Sequence, residues 1–87
     1  MDKKYMLISV YDREILTEQF STKEEAQGAM HREMIEYGKV PETIFDEKEY
    51  EDSDYGFGEY SAWVNEGINH TDLDWLIVYI GDTHEDC

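Results

Sequence analysis

The sequence predicts an α+β domain: a four-stranded antiparallel sheet made of two hairpins, with one main helix, in the order β-β-α-(short α)-β-β. Three observations carry that expectation. Apolar residues alternate with period two near both ends of the chain, a capped helical stripe lies between them, and 87 residues leave room for one small core. The domain is expected over residues 1–80, with 81–87 as a flexible acidic tail.

Lys4 to Tyr11 is rich in β-branched and aromatic residues, and Ile15 to Phe20 resumes the same style after Asp12-Arg13, which describes a hairpin. The turn holds no glycine, so a longer loop built on a type I turn is expected in place of a two-residue connection. Ser21 as N-cap with Glu24 three residues later has capping-box spacing and would start a helix at Thr22. Ala26, Met30, Met34 and Tyr37 form its apolar stripe, and Gly38 is placed to end it as a left-handed residue, giving a helix over 22–37. Pro41 suits the first position of a short second helix through about Lys48 that buries Ile44 and Phe45, whereas Glu49 to Gly58 reads as an acidic loop. Glu59 to Val64 alternates as a strand, Asn65 to Asp74 holds turn residues, and Trp75 to Ile80 is the most apolar run of all. This pair is the second hairpin.

Both faces of the sheet read as apolar. Met6, Ile8 and Val10 oppose Tyr5, Leu7 and Tyr11, and Leu76, Val78 and Ile80 oppose Trp75, Ile77 and Tyr79. One helix covers one face, so the second face needs the 41–48 segment, a partner or a second copy. A homodimer or a partner-covered face involving Tyr5, Tyr11, Trp75 or Tyr79 is the expectation.

Charge narrows the function classes. Seven Lys+Arg against 22 Asp+Glu leave a net charge of −15, which opposes direct binding to nucleic acid or to an anionic membrane and favours a basic protein surface as partner. The sole cysteine, Cys87, excludes an intrachain disulfide and a Cys-based zinc site. No apolar run reaches bilayer-spanning length and the N-terminal run is short and β-like, so a soluble cytoplasmic protein is expected. The stretch from Glu42 to Asp54 sets seven acids against one base, Lys48. Within and beside it, Glu47, Glu49, Glu51, Asp52 and Asp54 would face a basic groove as phosphates do, with Tyr50, Tyr55 and Phe57 as anchoring contacts. The alternative is a solvated acidic loop kept for solubility.

No other chemistry is expected: no catalytic residues, no cofactor and no metal. Asp52-x-Asp54-x-Gly56 resembles the start of a calcium loop, but the glycine and bidentate glutamate positions fall on Phe57 and Trp63. His31, His70 and His84 have no ligand spacing, and His70 beside Asp72 reads as a local hydrogen-bonding pair. Gly56-x-Gly58 is followed by a strand and sits among acids, which does not suit phosphate.

The blocks Phe20 to Gln27 and Tyr60 to His70, with Asp74-Trp75, resemble small proteins of phages and mobile elements in gut Firmicutes. In size and acidity the chain is also similar in character to anti-CRISPR and anti-restriction inhibitors that mimic DNA. That likeness implies a non-enzymatic inhibitor, acting in a bacterial host cytoplasm, docked on the basic nucleic-acid channel of a defence nuclease. The alternative is a small dimeric interaction module.

Overall fold

The computed structural model describes residues 3–65 and 72–81. Among the described residues, six strands and one α-helix follow in chain order: β1 (Tyr5–Tyr11), β2 (Glu14–Phe20), α1 (Lys23–Gly38), a 3-10 turn (Glu42–Asp46), β3 (Tyr50–Glu51), β4 (Tyr55–Phe57), β5 (Ser61–Val64) and β6 (Leu73–Tyr79). The strands form one antiparallel sheet in the order β2-β1-β6-β5-β4-β3. The α+β class and both expected hairpins are present, but the sheet has six strands instead of four. The two extra ones are short, and the acidic residues around them hide any alternation. β3 pairs only through Tyr50 with Phe57 and Glu51 with Gly56.

The first hairpin closes with Tyr11 opposite Glu14, so its turn is two residues long and not the longer loop expected. Asp12 takes φ 58°, supplying the left-handed conformation that such a turn requires and that Asp tolerates better than most residues. The helix begins one residue later than its sequence suggests. Thr22 is the N-cap, its side chain accepting from the Glu25 N–H, while the Glu25 carboxylate accepts from the N–H groups of Ser21 and Thr22 at 3.2 Å each. Consecutive Ser-Thr and Glu-Glu pairs offer the capping-box spacing twice, and in the later frame one carboxylate satisfies two backbone donors. At the other end Lys39, with φ 61°, is the left-handed residue, and Gly38 is still helical. Gly38 serves close approach: a Cβ there would lie 2.8 Å from Val64 Cγ2.

Ala26, Met30 and Met34 are buried as the stripe predicts, joined by Ala29, and they pack on Leu7, Phe57, Ala62, Val64, Leu73, Trp75 and Ile77. Val40 and Ile44 close one end of the same core, so the 41–48 segment, a 3-10 turn and not an α-helix, lies on the helix side. The covered face is therefore the one carrying Tyr5, Tyr11 and Trp75, with Trp75 only 2% exposed. Of the residues expected at a dimer contact, Trp75 is buried and Tyr5 and Tyr11 pack against the core, because three small residues, Ala26, Ala29 and Gly38, let α1 lie close over the bulky aromatic side, while Tyr79 is 49% exposed. The uncovered face runs in register rows: Ile15, Val10, Asp74, Trp63, Gly56 and Glu51; then Thr17, Ile8, Leu76 and Ser61; then Gln19, Met6 and Val78. Leu76 is 46% exposed there. Most of the Asn65 to Asp74 connection, with His70, and all of the acidic tail except Gly81 lie outside the described residues.

Candidate functional site

The acidic stretch folds into a hairpin at the β3 edge of the sheet. Asp52 makes its turn: its Oδ1 accepts from the N–H groups of Asp54 at 2.8 Å and Tyr55 at 3.0 Å, and its own N–H donates to the Tyr55 carbonyl at 2.9 Å. Asp side chains that accept from the backbone two residues on stabilise such turns without glycine. The Tyr50 hydroxyl donates to Asp52 Oδ2 at 2.8 Å, and the two rings of Tyr50 and Tyr55 stack with centroids 5.7 Å apart. The tip is tied to the end of β5, since Asn65 donates from Nδ2 to the Ser53 carbonyl and from its backbone to the Asp54 carbonyl. The backbone of this short acidic segment is thus tied at its turn, and the Asp52 carboxylate is held with it.

The N–H groups of Tyr55 and Asp54, helped by the Tyr50 hydroxyl, hold the Asp52 carboxyl below the usual range, since each hydrogen bond favours the ionised form. The same contact, with the negative charge it faces, pushes the Tyr50 hydroxyl up to about 12. Both oxygens of Asp52 are thus engaged within the hairpin. Among the described residues no group of three or more His, Cys, Asp or Glu side chains is arranged to hold a metal ion.

Glu47, Glu49, Glu51, Asp52 and Asp54 are all exposed, in the segment that leads into and forms this hairpin. The aromatics are not on offer in the same way. Tyr50 and Tyr55 are half-buried and pack against the core, and Phe57, expected as an anchor, is only 6% exposed. Phe57 lies in an aromatic cluster with Phe45 at 4.9 Å and His31 at 5.0 Å, while His31 stacks on Phe45 at 4.3 Å. Period-two alternation explains the error: Tyr55 and Phe57 share a strand face, and that face is the one under the helix. Burial holds the His31 imidazole below its ordinary pKa.

Beside the hairpin runs an open groove of about 690 Å³ between the first half of α1 and residues 47–49 and 57–59, lined among others by Glu24, Glu47, Lys48, Glu49, His31 and Phe57. Lys23 is ion-paired with Glu59 across it, and Gln27 donates to the Glu59 carbonyl at 2.8 Å.

A second polar cluster escaped the reading of the sequence. Glu33 Oε1 accepts from Ser9 Oγ at 2.9 Å, from Trp75 Nε1 at 2.9 Å and from the Tyr11 hydroxyl, joining α1, β1 and β6 beneath the helix. Burial, then the neighbouring Glu33, raises the Tyr11 pKa above its ordinary value. Two signals were available: Ser9 interrupts an apolar strand, and Glu33 stands three residues after Met30, on the packed side of the helix. Buried polar groups come with partners, so each implied the other.

Comparison with family models, with curated proteins and with solved structures returned no match. No helix among the described residues is long and apolar enough to cross a membrane.

Proposed function

We propose that the chain is a non-enzymatic binding protein whose β3–β4 hairpin docks on the basic nucleic-acid channel of a nuclease or other DNA-binding protein, its carboxylates standing in for phosphates. The observation that carries this reading is the set of exposed carboxylates Glu47, Glu49, Glu51, Asp52 and Asp54, which lead into and lie on a hairpin whose turn is pinned by Asp52 and Asn65, with Lys48 the only base in the segment. A solubility loop has no need of fixed geometry. A charge-complementary contact gains from it, because the backbone that carries the charges is ordered before binding and a patch of one sign steers a basic partner. The likeness in size and acidity to DNA-mimicking inhibitors supports the same reading. In this revised site Tyr50, Tyr55 and Phe57 support the hairpin from below, and the carboxylates make the contact.

Asp52 must be spared in the test, since it builds the turn. Glu47, Glu49, Glu51 and Asp54 are replaced together by Lys, and DNA cleavage by a panel of RNA-guided and restriction nucleases is measured with each protein. The wild type is expected to inhibit at least one nuclease in competition with DNA, less so as salt rises, and the variant to lose that inhibition while melting as a folded domain. Inhibition that survives the charge reversal would sink the mimicry reading.

A further inference from the structure

The two edges of this sheet are unlike. β3 is two residues long and acidic, both of which discourage strand pairing. β2 is seven residues long, contains neither Lys nor Pro, and leaves Ile15 68% and Leu16 52% exposed. Among the described residues no strand pairs with its outer side. A long edge on which only Glu14 and Glu18 are charged is a template for another strand.

The direction of its free backbone groups follows from the sheet. The Ile80 N–H donates to the Lys4 carbonyl at 2.7 Å, which places the even-numbered residues of β1 in hydrogen-bonded pairs with β6. Odd-numbered residues of β1 therefore turn to β2 and meet its even-numbered residues. The N–H and C=O groups of Ile15, Thr17 and Gln19 are left directed outward.

We propose that this edge pairs antiparallel with β2 of a second copy, about a two-fold axis through Thr17. Charge selects that register. An axis through Leu16 would set Glu14 against Glu18 of the second copy, twice, and one through Glu18 would set that residue against itself. Centred on Thr17, Glu14 meets Phe20, Leu16 meets Glu18, Ile15 meets Gln19 and Thr17 meets its own copy, with no two carboxylates directly opposite. Axes further along in either direction overlap fewer residues. The pairs formed by Ile15, Thr17 and Gln19 exchange about six backbone hydrogen bonds, and they use the residues whose groups point outward. The exposed Leu16 side chains become diagonal neighbours across the axis. Six strands in each copy join into one continuous sheet, with the uncovered faces on the same side. The pairing is independent of the acidic hairpin, which lies at the opposite edge and stays free.

The test uses the full chain. In a Cys87→Ser background, Thr17→Cys is expected to form an interchain disulfide readily, because opposed hydrogen-bonded residues have Cα atoms about 5.5 Å apart, within disulfide reach. Ile15→Cys is expected not to, since its copies lie four residues out of register, roughly 13 Å apart along the strands. Sedimentation of the unmodified chain at micromolar concentration is expected to show a dimer that tightens by about tenfold or more as salt screens two like-charged copies. Thr17→Lys should weaken it by about tenfold or more at unchanged melting temperature, by placing two cations in contact. A chain that stays monomeric at every salt concentration would overturn the proposal, whether or not the edge accepts a strand from another protein. So would equal cross-linking at both positions, or a dimer indifferent to Thr17→Lys, which would place the interface elsewhere.

Discussion

At the scale of single residues, two side chains in this small core do what the apolar ones cannot. Glu33 gathers donors from two strands onto one oxygen, so the polar atoms of Ser9 and Trp75 are buried without being orphaned. His31 fills an aromatic stack at the price of a proton. Its pKa is lowered by burial, so the unfolded chain binds that proton more readily than the folded one. The associated stability is fully present above the ordinary histidine pKa of about 6.5 and is lost as pH falls towards the lower folded value. His31→Phe keeps a ring against Phe45 and removes the titration. The gap in melting temperature between variant and wild type is expected to widen in the variant's favour below about pH 6.5 and to be constant above it. A gap that does not change with pH would mean that the imidazole enters the stack at no protonation cost.

At the scale of elements, the acidic hairpin is stabilised by its own turn as well as by packing. β3 and β4 share two paired positions, which is less than a free hairpin needs to persist in water. The hydrogen bonds of Asp52, the stack of Tyr50 on Tyr55, the Asn65 ties and the pairing of β4 with β5 make up the difference. Asp52→Ala is expected to speed amide hydrogen exchange at Asp54 and Tyr55 while leaving Leu7 and Ile77, in the central strands, unchanged. Asp52→Asn keeps a side-chain acceptor and should retain most of the protection. Equal protection in the alanine variant would show that β5 holds the hairpin unaided.

At the scale of the whole molecule, a net charge of −15 on a chain of this size works against compactness. The described ion pair, Lys23 with Glu59, neutralises little of it. The melting temperature is therefore expected to rise with salt, by about 5 °C or more between roughly 0.02 and 0.5 M sodium chloride, as the Debye length shortens below the spacing of surface charges. A flat response would mean that the carboxylates are already distributed without mutual strain. The topology adds a second whole-molecule feature. β1 lies between β2 and β6, so the first and last of the described strands pair inside the sheet, and the sheet is joined only when both are present.

What the sequence by itself determined is local. Periodicity placed β1, β2, β5, β6 and the helix, because each has a run long enough for alternation or a stripe to show, and the Ala26-Met30-Met34 stripe named the buried side of α1. Tertiary structure decided what those runs left open. Which apolar sheet face the helix covers depends on small residues meeting bulky ones across the interface, Gly38 against Val64 above all, and no period along the chain encodes that match. β3 and β4 exist because β5 offers them a ladder, so their acidic sequence reads as a loop until that ladder is in place. The five carboxylates were legible because exposed charge needs no partner to be recognised. Phe57 was not, since whether an aromatic anchors a partner or a core depends on which face its strand turns inward, and long-range pairing alone sets that.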